Sequence, residues 1–299
     1  MILSPQDVLK EGLRFCNGNH KAAWTKARTS DFKAHYGSSP IVLADQWEDL
    51  VHLELTQADK SMKGFRSFLI AHHFLWAYPK NAKLLADKFG VCLRKVQGDN
   101  LWRWVRMIAA LKAKKIVWPE AEFNDPASHI FIISVDGTDF RVWEKKHPLF
   151  TIDRKQCSHK YKHGALKYEI AIDIFRAKVV WISGPYPGSI HDKTIYIDGG
   201  LRDKIPVGKK VITDRVYGNK AAPDDHIKLA LPNHLDSKEL NNFKARVKSR
   251  HESLNGRLKF FSILEKTFHH DAANHVHAFE AVCITVQYQM DRGGEIFAA

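Results

Sequence analysis

Three carboxylates fall where a sheet and a helix could bring them together. Asp136, in VDGTDF, directly follows the apolar run HIFIISV (129–135), and Asp214, in VITDRVYG, directly follows KKVIT (209–213). Side chains at the carboxyl ends of neighbouring strands converge on whatever binds an open α/β sheet. Glu252 lies in FKARVKSRHESLNGRLKFF, where Phe243, Val247, Leu254 and Leu258 make the apolar stripe of a helix. By helical spacing Glu252 shares a face with Ala245, Lys248, Gly256 and Lys259, small and basic residues that suit a cleft for phosphate. A lone Glu on such a helix normally pairs with Arg or Lys in solvent; the two Asp residues give this one another reading. Asp136, Asp214 and Glu252 are therefore the candidate catalytic residues. The chemistry they could do is hydrolysis or transfer at a phosphodiester, with two divalent ions about 4 Å apart on the attacking and leaving oxygens. Mg²⁺ or Mn²⁺ would suit these hard oxygen donors. Without metal, the crowded acids should repel and take up protons more readily.

Other acids compete. Asp192, in GSIHDK, follows the turn PYPGS (185–189). It reads either as a helix N-terminal Asp favoured by the helix dipole or as part of the metal site. Asp173 lies within the strand KYEIAIDI (167–174) and is the main decoy, while Asp139, Asp153, Asp198, Asp203, Asp224, Asp225 and Asp236 read as turn or cap residues. Cations crowd residues 143–167, among them Lys155, Lys160 and Lys162, interleaved with Trp143, Phe150 and Tyr161. Such a stretch can contact phosphates and stack a base, and Lys248, Arg250 and Lys259 offer further phosphate contacts on the Glu252 helix. His147, His159, His163 and His191 are irregularly spaced, with no cysteine pair to support zinc.

The elements that would position these groups begin near residue 126. The strands are 129–135, then 167–174 and 177–184 as a hairpin, then 209–213 and 227–231, with a helix from Ser189 and helices over 237–262 and 272–290. Three strands, a helix, two strands and closing helices is the ribonuclease H-like order, a mixed five-stranded α/β sheet flanked by helices. It makes the first and fourth strands parallel neighbours, and Gly137 and Gly218 suit tight exits from them. Residues 1–125 read as a separate helical region, with WPEAEFNDPAS (118–128) as linker and 126–299 as the catalytic domain. Within about 66–112 a helix-turn-helix is expected: Asn81 caps one helix, Gly90 turns, and a second helix from Cys92 carries Arg94, Lys95, Gln97 and Asn100 toward a major groove. Gly98 is out of place inside that second helix.

Composition agrees with a polyanion partner. Lys and Arg number 46 against 33 Asp and Glu, a net charge of +13, a balance that attracts nucleic acid. No apolar run approaches the roughly 20 residues that span a bilayer. The four scattered cysteines form no CxxC pair, so a disulfide framework is not expected, and the start has no signal-peptide pattern; a reducing, intracellular setting fits.

The run VDGT, then CSHKYKHGALKYEIAID, GPYPGSIHD, TDRVYG and RHESLNGRLKFF resembles the catalytic domain of PIF/Harbinger-type DDE transposases over roughly residues 129–270. The resemblance implies metal ligands at Asp136, Asp192, Asp214 and Glu252, the first, third and fourth being the DDE triad. Arg215 stands where relatives often carry a small residue. FLIAHHFLWAYPKNAKLLADKFGVCLRKV (68–96) is similar to the helical region ahead of that domain. What the resemblance implies is cleavage and joining of element-end and target DNA, in the nucleus, with a Myb-like partner protein and a homodimer as possible company. Two alternatives fit the same residues: a domesticated DNA-binding protein without transposition activity, and a nuclease for RNA or hybrids.

Overall fold

The computed structural model describes residues 1–18, 24–53, 59–143, 157–176, 178–218, 229–231 and 233–294. The chain divides into a helical unit (Met1–Lys115, Leu258–Lys266, Ala273–Gly294) and a sheet unit that includes Ile116–Arg257 and Thr267–Ala272. The C-terminal helix thus belongs with the N-terminal helices, whereas the sequence alone assigns everything after 125 to the catalytic domain.

In the helical unit, α1 (Pro5–Asn17), α2 (Lys26–Tyr36), α3 (Pro40–His52), α4 (Met62–Ala77), α5 (Ala82–Phe89), α6 (Gly98–Ala110) and α7 (Lys112–Lys115) surround buried aromatic residues such as Tyr36, Trp47, Phe65 and Phe68. Their starts are set locally. Ser4 and Asp7 form a reciprocal capping box ahead of Pro5, and Asn81 Oδ1 accepts from Leu84 N at 3.1 Å to open α5. Gly90 ends α5 in the left-handed conformation, as expected. The expected second helix does not follow. Leu93–Val96 is a 3₁₀ turn, and α6 begins only at Gly98, whose φ is +52°. The positive φ of Gly98 breaks the path that a helix from Cys92 would need.

The sheet unit opens with α8 (Glu120–Asn124) and holds β1 (Phe131–Arg141), β2 (Ala165–Asp173), β3 (Val179–Pro187), α9 (Asp192–Asp198), α10 (Leu201–Lys204), β4 (Lys210–Ile212), β5 (Leu229–Ala230) and most of α11 (Lys238–Lys259). The short α12 (Ser262–Glu265) and the long α13 (His275–Asp291) return to the helical unit. The strand order is β3-β2-β1-β4-β5, with β1–β2 and β2–β3 antiparallel and β1–β4 and β4–β5 parallel. The first and fourth strands are parallel neighbours, as the sequence implied.

β1 differs in length. It runs through Asp136 to Arg141, because every residue from Ile133 onward is paired with β2. Asp136 is consequently inside the strand, opposite Ile170, and Gly137 is a strand residue opposite Glu169. Alternation along β1 sends Val135 into one core cluster, with Tyr196 and Leu201. Ser134 and Asp136 face the other way, toward α11. No helix among the described residues is long and apolar enough to cross a membrane.

Candidate active site

Asp136 and Asp214 line one small cavity of about 20 Å³, together with Ser134, Thr213, Lys248 and Glu252. Such a space is enough for a single water-sized guest. Each wall has a simple origin. β1 delivers Asp136, and the end of its parallel neighbour β4 leads through Thr213 to Asp214, where a 3₁₀ turn (Arg215–Gly218) takes the chain away. α11 delivers Lys248 and Glu252 one helical turn apart, and is held down by buried Val247 and Leu254.

Asp192, the first residue of α9, approaches β1 at Gly137. A side chain at Gly137 would collide with its carboxylate, so the absent Cβ creates the room. That corrects the expected role of this glycine, which is a close approach and not a strand exit. Lys167 Nζ stands 3.0 Å from Asp192 Oδ1 and also donates to Ile190 O at 2.8 Å.

The acids feel each other. Burial, then the charges of Asp192 and Asp214, push the Asp136 carboxyl up to about 7. Asn255 answers in part, its Nδ2 donating to Asp136 Oδ2 at 3.0 Å. Lys248 is ion-paired with Asp214, and Glu252 is exposed. Among the described residues no three His, Cys, Asp or Glu side chains are grouped ready to hold a metal. The donor set is nonetheless all hard oxygen, around a cavity with room for one water-sized guest. A divalent ion would need Lys248 to release Asp214 and Glu252 to turn inward.

Two functional-looking groups escape a reading of the sequence. Glu169, on β2, is fully buried, and neither oxygen completes a hydrogen bond among the described residues. Burial pushes its carboxyl up to about 8, the Trp181 indole working against this and the Asp192 charge adding to it. His251 is buried with Nδ1 3.0 Å from Ser134 Oγ, and burial and Arg250 push its pKa down to about 3, so it is neutral.

The cationic candidates separate. Arg250 is 2% exposed, and its guanidinium donates to the carbonyls of Asp173 (2.9 Å) and Ile174 at the end of β2, so it is not open to DNA. Asp173 is a turn cap, accepting from Phe175 N and Arg176 N at 2.9 and 3.0 Å. Lys160 and Lys162 are exposed on a turn stapled by Ser158, whose hydroxyl donates to Asp139. Lys155 lies outside the described residues. Lys259 falls with the helical unit. In that unit Arg94 and Lys95, on the 3₁₀ turn, line a concave pocket of about 480 Å³ with Lys63, Ser67, Asn100 and Arg103.

The sequence profile of the DDE superfamily endonuclease family matches residues 135–287, just over half of the chain, and that span carries all four candidate acids. No curated protein matches. Two solved structures align over nearly the whole chain. A pre-cleavage Mos1 transpososome is 8% identical over 99% of this chain and 94% of that one, with a TM-score of 0.21. The Mos1 mariner paired end complex with Mn is 10% identical over 98% and 93%, with a TM-score of 0.24. At such scores the likeness carries no argument about the backbone.

Proposed function

The chain belongs to the DDE superfamily endonuclease family, and from that premise we propose that it is a DNA transposase of the PIF/Harbinger type. It would cleave and join the ends of its element on a ribonuclease H-like sheet. The observation that supports this most is the convergence of Asp136 and Asp214, from adjacent parallel strands, on one cavity faced by Glu252.

Asp136, Asp214 and Glu252 would hold the catalytic cation, with Asp192 reaching the same group past Gly137. Mg²⁺ or Mn²⁺, two ions in the expected mechanism, would when bound activate the attacking oxygen and stabilise the leaving one. The chain's own residues prepare for this. A bound cation would favour the ionised Asp136, and Lys248, once released from Asp214, would be placed to contact phosphate from the face of α11 that borders the cavity. Lys160 and Lys162, exposed on their turn, would offer further phosphate contacts. In the helical unit, the basic pocket at Arg94 and Lys95 grips the DNA backbone in place of an inserted recognition helix. Recognition of terminal repeats, a homodimer, a Myb-like partner and nuclear residence belong to the same proposal.

A second reading, a domesticated DNA-binding protein without strand cleavage, draws on the Lys248–Asp214 ion pair, which occupies a ligand position with a cation of the protein's own. Nicking of plasmid DNA separates the two. With Mg²⁺ or Mn²⁺ the wild type should nick, whereas Asp136→Asn, Asp214→Asn and Glu252→Gln should each lower the rate by at least about 100-fold while still binding DNA. Asp203→Asn, on α10 and exposed, is the control and should remain active. A wild type that binds duplex DNA and never nicks it supports the second reading, and preferential cutting of an RNA–DNA hybrid would make it a hybrid nuclease.

A further inference from the structure

Two hydrogen bonds stitch α11 to β1 in parallel. His251 Nδ1 meets Ser134 Oγ at 3.0 Å, and Asn255 Nδ2 donates to Asp136 Oδ2 at 3.0 Å. The two strand residues are two apart and the two helix residues four apart. Two strand residues span about 6.7 Å and four helical residues about 6 Å, so a straight helix can bond to both without distortion. Glu252 lies between the two helix partners. The seam therefore sets which turn of α11 faces the cavity.

Asn255 has a second notable atom. Its Oδ1 is buried and has no hydrogen-bond partner among the described residues. A buried acceptor left so is unfavourable, and a water bound beside the acids would satisfy it.

We infer that Asn255 is a positioning residue for the cation site: by holding Asp136 Oδ2 it fixes the rotation of that carboxylate, leaving the other oxygen for a divalent ion, and it locks the register that brings Glu252 to the same cavity. The inference rests on the metal reading proposed above. Partners that orient a metal ligand typically contribute about 10–100-fold to metal affinity, and Asn255 is placed to act in that way on Asp136.

The test is Mn²⁺ binding to the full chain by titration calorimetry, with circular dichroism and thermal melts on the same samples. Asn255→Ala should raise the Mn²⁺ Kd roughly 10–100-fold with an unchanged circular dichroism spectrum. Asn255→Asp keeps the shape, replaces the donor with an oxygen, and should weaken binding at least as far. It also serves if the alanine variant fails to fold. An Asn255→Ala Kd within twofold of wild type overturns the inference. So does an Asn255→Asp variant that binds Mn²⁺ more tightly, because Asn255 would then be a ligand itself. A wild type that takes up no Mn²⁺ refutes instead the metal reading beneath it.

Discussion

At the scale of single residues, protons are the accessible signal. Glu169 has an ordinary value near 4.5 and sits near 8 in the folded chain. The folded state therefore holds this proton over a window in which the unfolded state has shed it. By linkage, stability falls as pH rises from about 4.5 to 8 and is then constant in this respect. Asp136, raised from 3.8 to about 7, acts in the same direction over a lower window. Glu169→Gln keeps the shape and removes the ionisation. Its stability relative to wild type should grow across about pH 5 to 8, by on the order of 3 kcal/mol, as read by urea denaturation at each pH. A difference independent of pH would mean that Glu169 is ionised in the fold. Gly137→Ala tests the approach of Asp192. The new methyl group must displace that carboxylate, so Mn²⁺ affinity should fall while DNA binding holds.

At the scale of elements, α11 and the 3₁₀ turn after α5 carry the clearest expectations. Arg250→Ala should lower stability by roughly 2–3 kcal/mol, since its guanidinium ties α11 to carbonyls at the end of β2. The salt dependence of DNA binding should not change. The double variant Arg94→Ala, Lys95→Ala should do the reverse. Removing one cation from a DNA phosphate flattens the slope of log K against log salt by about 0.9, so about 1.8 for the pair. An unchanged slope would remove the basic pocket from the DNA-binding surface. These elements also show what could be read in the sequence. The β-rich runs, the Asn81 cap and the Gly90 turn are local signals, and they appear in the fold where they are expected. The true length of β1 is not legible, because VDGTDF reads as a turn and only the ladder to β2 makes it strand. Arg250 looks like one more cation in a basic helix until the fold buries it. Glu169 and Asn255 gain meaning only from distant partners, Glu169 opposite Gly137 and Asn255 on Asp136, which no local pattern reports.

At the scale of the whole molecule, the end of the chain belongs to its beginning. α13 joins the N-terminal helices through Gln46 to Thr285 (3.2 Å) and Lys112 to Glu280 (2.8 Å). Its buried face includes Phe279, Val282, Val286 and Met290. In the sequence Val276, Phe279, Cys283, Val286 and Met290 recur at helical spacing and are legible as a helix; the unit that helix joins is not. Truncation after residue 271 should therefore unfold the helical unit, seen as loss of its melting transition, and not trim a catalytic domain. The net charge of +13 fits a polyanion, yet it leaves open which carboxylates work at the reacting phosphate, and that choice is the centre of the account. A Mn²⁺-soaked crystal, with the ion located by its anomalous scattering, tests it most directly. Mn²⁺ should lie between Asp136 and Asp214, with Lys248 withdrawn and Glu252 turned inward. Mn²⁺ bound elsewhere, with the Lys248–Asp214 pair still closed, would contradict it.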